Sequence, residues 1–191
     1  MTYFQIIEKL KFLFYAKNAH GLHSPFVFEF YNEVKLKAKK INHSAGKLFD
    51  FNKRQTQIIV AIIHYLKIEN AFVLDKNRYS IQQLFLNVLE ANKIYTSDNL
   101  VVLPKEEIKF DLIYISKSLL IKEDNLLAKL RPFISERSAV IIPHIHASKN
   151  SLDRWKSLIK NDSVRVSLDL FFIGILLFRK ESTKQNFLLR F

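Results

Sequence analysis

Residues 70–98, NAFVLDKNRYSIQQLFLNVLEANKIYTSD, decide the fold class of this 191-residue chain. Ala71–Leu74 is a short apolar run, typical of a strand that is buried on both faces. Apolar residues then recur at helical spacing, at Ile81, Leu84, Phe85, Val88 and Leu89, and Lys93–Ser97 returns to strand-forming residues. The segment therefore predicts a right-handed βαβ unit, and in such a sheet ligands gather at the carboxyl ends of the strands.

The flanking sequence extends this alternation of helices and strands. Helices are predicted over residues 2–16, from Pro25 onward, over 53–66, around 122–130 and over 152–159, and strands over 110–115 and 138–142. Residues 164–178 alternate and then become continuously apolar, which predicts a terminal antiparallel hairpin. The predicted fold is α/β and Rossmann-like: a mainly parallel sheet with a C-terminal antiparallel hairpin and helices on both faces.

The first predicted helix carries one apolar stripe. Phe4, Ile7, Leu10 and Phe14 recur along it together with Lys11, and Ile6 and Leu13 lie beside them. We expect this stripe to dock on the domain, with a lid or a dimer contact as the alternative. Gly21 is expected to end this helix, and Ser24-Pro25 to begin the next one.

Composition predicts one packed unit, with an N-terminal helical cap over residues 1–52 and an α/β domain over residues 53–191. The absence of cysteine excludes disulfides and thiolate metal sites, and a cytoplasmic location is the default expectation. The apolar runs are too short to span a bilayer, and Glu8 and Lys9 do not fit a signal peptide. The net charge of +12 favours polyanions without specifying one.

Two longer motifs carry a resemblance to a known family. They are His20-Gly21-Leu22-His23-Ser24-Pro25-Phe26-Val27-Phe28, and Asp169-Leu170-Phe171-Phe172-Ile173-Gly174 continued by Phe178-Arg179-Lys180. Both resemble the Bacteroidetes-type class I S-adenosylmethionine-dependent methyltransferases, and shorter matches in the same order extend the likeness over nearly the whole chain. The resemblance implies a seven-stranded sheet with S-adenosylmethionine bound across the carboxyl edge.

The resemblance also implies where the cofactor would bind. Asp98 occupies the place of the acidic residue that ends the second strand and holds the ribose hydroxyls, although an Asp there is also ordinary turn chemistry. Asp75 and Ser80 lie in the segment that matches the family's glycine-rich turn. That turn reads Leu74-Asp75-Lys76-Asn77-Arg78-Tyr79-Ser80 here, without glycine. Because side chains replace the bare backbone, we expect cofactor binding to be weakened or lost.

Other departures from the family point the same way. The fourth and fifth strand exits read Ile115-Ser116-Lys117 and Pro143-His144-Ile145-His146, without the acidic residues of relatives. The span between the second strand and Phe110 is too short for another helix and strand, so an element of the sheet is expected to be missing there. Lys76 or Arg78 binding a different phosphate-bearing ligand is the alternative for the altered turn.

Histidines supply the candidate catalytic groups. His23, His144 and His146 are the weak candidates for a base, since imidazole titrates near neutral pH, and His20 and His23 are expected on the substrate side. His144 and His146 have a spacing that suits zinc, but without Cys or an acidic partner no metal site is predicted. Trp155, Phe171 and Phe172 are interpreted as core aromatics.

The sequence leaves the partner and the methyl acceptor open. The leading interpretation is a methyltransferase-like protein with a degenerate active site. One alternative is a non-catalytic binding or scaffold module on the same fold. The other is a basic domain that binds nucleic acid or anionic surfaces through Lys35–Lys40 and Lys47–Arg54.

Overall fold

The computed structural model describes residues 2–41, 51–76, 79–90, 93–100 and 108–191. The helices are α1 (Tyr3–Tyr15), α2 (Pro25–Lys40), α3 (Lys53–Tyr65), α4 (Tyr79–Leu86), α5 (Lys117–Lys122), α6 (Leu126–Leu130) and α7 (Lys149–Lys160). The strands are β1 (Ala71–Leu74), β2 (Ile94–Ser97), β3 (Phe110–Ile115), β4 (Ile134–Pro143), β5 (Val166–Asp169), β6 (Ile173–Leu177) and β7 (Gln185–Leu188).

One seven-stranded sheet, in the order β2-β1-β3-β4-β6-β5-β7, organises the chain. The strands β2, β1, β3 and β4 are parallel neighbours, and β6 runs antiparallel to both β4 and β5. The predicted fold class is confirmed, including the antiparallel hairpin. The seventh strand is β7, which pairs in parallel with β5 and was not predicted.

The predicted loss of an element after the second strand falls mostly outside the described residues, since 101–107 are among those not described. Within the described part of the sheet, β2 is the edge strand on that side. The seven strands of the described sheet therefore include β7 at the opposite edge, next to β5.

Alternation along the strands divides the core into two layers. On β1, Ala71 and Val73 contribute to the cluster that includes α2, α3 and α4, whereas Phe72 and Leu74 contribute to the cluster under α5, α6 and α7. Successive side chains of a strand point to opposite faces, so a strand buried on both sides must be apolar throughout. The four residues of β1 are accordingly all buried.

Helix α1 docks only in part through the predicted stripe: Phe4 packs against the core layer under α5, α6 and α7, and Ile7 is half-buried. Gln5, Glu8 and Phe12 face the domain: the Gln5 amide donates to the Ala147 carbonyl (3.3 Å), and Phe12 is 6% exposed. Leu10 and Phe14, from the predicted docking stripe, are 63% and 82% exposed. The apolar side chains left exposed on this helix are Tyr3, Ile6, Leu10, Leu13, Phe14 and Tyr15.

Two helix ends differ from the predictions. α1 ends at Tyr15, because the Lys17 amide donates to the Leu188 carbonyl (2.8 Å) and joins the chain to the C-terminal segment; Gly21 ends a short 3₁₀ turn instead. The single helix predicted around 122–130 is two helices, because Asn125 adopts a left-handed conformation (φ 54°) that interrupts the α-helical path.

Within the described residues, no helix is long and apolar enough to cross a membrane.

Candidate functional site

The carboxyl ends of β1 and β2 lie side by side, as the βαβ unit requires. Leu74 pairs with Ser97, and the Asp75 amide donates to the Ser97 carbonyl (3.1 Å). Asp75 is buried at 9% exposure, whereas Asp98, the next residue after β2, is exposed. The two carboxylates predicted from the sequence therefore follow neighbouring strands at one edge of the sheet.

The turn between β1 and α4 is described only in part. Lys76 is exposed, Asn77 and Arg78 lie outside the described residues, and Ser80 belongs to the first turn of α4. Any contact of Arg78 or of the Ser80 side chain with a cofactor stays a prediction. In the described part of this turn, Asp75 directly after β1 is buried.

The exits of β3 and β4 continue the same edge. Ser116 is buried after β3, its amide donates to the Leu74 carbonyl (2.9 Å), and Lys117 begins α5 on the surface. After β4, His144 has a left-handed backbone (φ 56°), and its ring stacks on Phe51 with 5.5 Å between centroids. His144 thus lies in a packed turn against an aromatic neighbour.

His146 lies in the same turn and forms a buried pair with Asp169, the last residue of β5. Its Nε2 is 2.8 Å from Asp169 Oδ2, and the two residues are 7% and 5% exposed. An ionised carboxylate accepts hydrogen bonds only, so Nε2 carries the proton and donates. The second oxygen, Oδ1, accepts from the Phe171 amide (2.8 Å), which fixes the carboxylate.

Aromatic rings enclose this pair. The Phe171 ring stacks on the His146 ring with 4.7 Å between centroids and 16° between planes, and Phe12 of α1 approaches it edge-on at 6.0 Å. Phe171 has φ 70°, so its backbone holds a left-handed conformation that is uncommon for a bulky residue. Phe171 is half-buried and belongs to the surroundings of His146 rather than to the core, whereas half-buried Phe172 packs against the core and Trp155 is buried, as expected.

The absence of an acidic partner, assumed in the sequence analysis, was wrong for His146. Asp169 reaches it from β5, and Glu8 of α1 brings a second carboxylate to 3.9 Å from Nδ1. Glu8 in turn accepts from the Lys11 ammonium (2.8 Å). The alternation of β5, with Val166 and Leu168 in one core layer, would place Asp169 on the opposite face, but no local pattern pairs it with His146.

A cavity of about 320 Å³ adjoins this pair. It lies between α1, α7 and the strands β5 and β7, and His146, Asp169 and Glu8 are among the residues that line it. Most of the remaining lining is apolar or aromatic, including Phe12, Leu152, Trp155, Ile159 and Phe187. Such an apolar cavity with a few convergent polar groups has the character of a small-molecule site.

His23 is not part of this cluster. His23 is exposed just before α2, and the side chain of His20 lies outside the described residues. No group of three or more metal-binding side chains occurs among the residues that the structure describes. Of the three candidate bases, His146 has a carboxylate partner and an adjoining cavity.

The predicted basic segments are partly engaged in packing. Lys35 lies 5.3 Å from the centroid of the Tyr31 ring, and Lys37 lies 5.8 Å from that of Tyr65. In the second segment, Lys47 lies outside the described residues. The polyanion hypothesis stays a prediction without a described binding surface.

Comparison with known proteins adds the fold family. No protein-family model matches the sequence, and no curated protein matches it. Among solved structures, it is similar to the "putative caffeoyl-CoA O-methyltransferase from Staphylococcus aureus", with a TM-score of 0.55 and 11% identity, covering 78% of this chain and 99% of that one. The chain has the class I methyltransferase fold.

A second similar structure is a protein from Corynebacterium glutamicum. It has a TM-score of 0.42 and 9% identity, over 78% of this chain and 79% of that one. At such identities the likeness concerns the fold alone, because one fold carries many unrelated functions.

Proposed function

We propose that this chain is an S-adenosylmethionine-dependent methyltransferase-like protein whose cofactor binding is weakened or lost. The observation that carries the proposal is Asp75, a buried carboxylic side chain directly after β1. The family resemblance aligns Lys76 and Ser80 with the two glycines of the cofactor turn, and Asp75 with the residue just before the first of them. Glycine is favoured at the glycine positions of this turn because, without a side chain, the backbone can approach the cofactor closely.

Steric and electrostatic effects act together in this turn. A side chain beyond Cα occupies space that methionine and ribose would need against the main chain. A carboxylate also adds negative charge beside the cofactor's own carboxylate, and like charges repel most where water is excluded. Methyl transfer depends mainly on in-line positioning, so a displaced sulfonium would lose rate as well as affinity.

Asp98 supports the part of the proposal that derives the chain from a cofactor-binding methyltransferase. It follows β2 on the exposed side of the same edge, where the resemblance expects the ribose carboxylate. A carboxylate that accepts from two hydroxyl groups is a strong contact, so residual binding should depend on Asp98. The chain would then retain one half of the cofactor site and have lost the other.

Isothermal titration with S-adenosylmethionine and S-adenosylhomocysteine tests the proposal. We expect no saturable binding in the micromolar range by the unaltered chain. Asp75→Gly is expected to strengthen any residual binding, since it removes the buried carboxylate. A further variant, Asp98→Ala, tests the ribose contact. Its matched control is Asp162→Ala, which removes an exposed carboxylate on the loop after α7.

Micromolar binding that Asp98→Ala weakens and Asp162→Ala leaves unchanged would overturn the proposal and restore a cofactor-using enzyme. Absence of binding in every variant would instead agree with a non-catalytic binding or scaffold module on this fold.

A further inference from the structure

One buried polar atom next to the cavity has no hydrogen-bond partner within the described part of the chain: Nδ1 of His146. The His146 side chain is 8% exposed, so bulk water does not hydrate it freely. Leaving a buried polar atom without a partner costs roughly 1–3 kcal/mol, so such atoms in folded proteins usually meet a ligand or a bound water.

The hydrogen bonds around His146 indicate whether the partner of Nδ1 must be a donor or an acceptor. Since Nε2 donates to Asp169, Nδ1 of a neutral imidazole is an acceptor. Glu8 Oε2 is 3.9 Å from Nδ1, which is too far for a direct hydrogen bond, and the other oxygen of Glu8 already accepts from Lys11. Nδ1 of His146 therefore requires one hydrogen-bond donor from a bound molecule.

The lining of the surrounding cavity indicates the chemical character of the rest of the ligand. Its apolar walls include the rings of Phe12 and Trp155 and the aliphatic side chains of Leu152 and Ile159. Lys11, Lys156, Ser167 and Asn186 also line the cavity, but most of its lining is apolar, so a charged body would be desolvated against those walls. A compact apolar body would bury its surface and fill a volume of about 320 Å³ in part or in full.

We propose that this cavity binds a small apolar alcohol, whose hydroxyl group donates to Nδ1 of His146 while its hydrocarbon body packs between α1 and α7. Asp169 is a positioning residue in this site, because its bond to Nε2 sets which imidazole nitrogen accepts. The inference goes beyond the proposed function and does not depend on it, since no residue of the β1–α4 turn takes part.

The experiment compares two probes that differ by one hydroxyl group, 4,4-difluorocyclohexanol and 1,1-difluorocyclohexane, by ¹⁹F NMR line broadening. We expect the alcohol to bind about tenfold more tightly, which is the effect of one hydrogen bond to an otherwise unpaired buried acceptor. Trp155 lines the cavity and is the one tryptophan of the unaltered chain, so its fluorescence gives an independent readout of binding by that chain and by His146→Phe.

Two variants locate the binding. His146→Phe keeps an aromatic ring against Phe171 but removes the acceptor, so both probes should bind equally. Ile159→Trp fills the cavity and leaves His146 unchanged, so both probes should lose affinity. Urea unfolding of each variant establishes that it is folded before it is titrated.

Equal binding of the two probes by the unaltered chain, or binding of neither, would overturn the proposal. Binding that survives Ile159→Trp would also overturn it, because the probes would then occupy another place. If His146→Phe does not fold, the probe comparison and the Ile159→Trp variant still decide the question. Failure of this site would leave the proposal on S-adenosylmethionine untouched.

Discussion

Gly174 of β6 lies directly against the indole ring of Trp155 in α7. A Cβ atom at position 174 would come within 2.6 Å of Trp155 Cζ3 and 2.7 Å of Cη2, closer than real carbon contacts allow. Gly174 also pairs with Asp169 across the hairpin, so this contact brings α7 close to the strand that carries the buried carboxylate. The absence of a side chain at 174 is therefore a packing requirement.

Gly174→Ala should destabilise the fold by about 1–3 kcal/mol, because the extra methyl group overpacks a buried ring that cannot swing aside. Urea denaturation measures the loss. Gly21→Ala is the matched control: its Cβ would lie 3.3 Å from the flexible Lys17 side chain, and we expect a change within about 0.5 kcal/mol. Similar losses in the two variants would contradict the explanation, and so would a Gly174→Ala cost that persists in a Trp155→Leu background.

Lys67→Gly should stabilise the chain by up to about 1 kcal/mol, because Lys67 holds a left-handed backbone (φ 53°) where glycine is favoured. The Ile68 amide donates to the Ile63 carbonyl (3.1 Å), which is the pattern of a helix end closed by such a residue. Thermal or urea unfolding measures the gain. The same change at Lys9, within α1, should cost about 1 kcal/mol. A loss at both positions would show that Lys67 does not hold this conformation in solution.

Ser138→Ala should cost about 1–3 kcal/mol, since it removes a hydrogen-bond partner from the buried Phe110 carbonyl and from the half-buried Ser135 amide. The Ser138 hydroxyl donates to the Phe110 carbonyl (2.5 Å) and accepts from the Ser135 amide (2.8 Å), where the register between β3 and β4 shifts. Urea denaturation is again the measurement. Ser135→Ala removes a half-buried hydroxyl on the same strand and should cost less, so a reversed order would refute the role given to Ser138.

Stability at high pH should depend on Tyr65. Burial raises the pKa of its phenol above the ordinary value, and the nearby Glu29 carboxylate adds to the shift. Between the ordinary pKa of about 10 and the raised native value, the folded state binds more protons than the unfolded state, so stability falls as pH rises. We expect a steeper decline above pH ~10 in the unaltered chain than in Tyr65→Phe.

The measurement for Tyr65 is the free energy of unfolding in urea across this pH range. Tyr3→Phe, at a residue that is 81% exposed, is the control and should follow the unaltered chain. Parallel curves for Tyr65→Phe and the unaltered chain would contradict the prediction.

The two faces of α1 should differ sharply in their contribution to stability. Phe12→Ala should cost about 3–5 kcal/mol, because the ring packs against His146 and Phe171 at 6% exposure. Leu10→Ala should change the free energy of unfolding by less than about 0.5 kcal/mol, because Leu10 is 63% exposed. Comparable losses would indicate that the apolar stripe predicted from the sequence does dock on the domain.

Much of the fold followed from local sequence patterns. The apolar run of β1, the helical spacing after it and the alternation of β5 each report which side chains must leave water, and that requirement is local. The positions of Asp75 and Asp98 could be predicted for the same reason. A residue that ends a parallel strand must lie at the carboxyl edge of the sheet.

The edge pairing of β7 and the exposure of Leu10 and Phe14 on α1 were not predictable in this way. β7 is short, and half of its residues are exposed, so its sequence carries little apolar signal. Its pairing depends on free backbone groups at the edge of β5 rather than on side chains. For α1, amphipathic spacing identified a helix, but the choice of docking face depended on which residues fit the turn after β4.

The sequence by itself determined that this chain builds an α/β sheet with two apolar layers and an altered turn after its first strand, because periodicity and residue type suffice for those inferences. Only the tertiary structure decided that His146, Asp169 and Glu8 meet beside a cavity. These three residues come from a turn, a strand end and the first helix, and no spacing along the chain encodes their distances. Their convergence is a product of packing, which assembles side chains from distant segments once the sheet has formed.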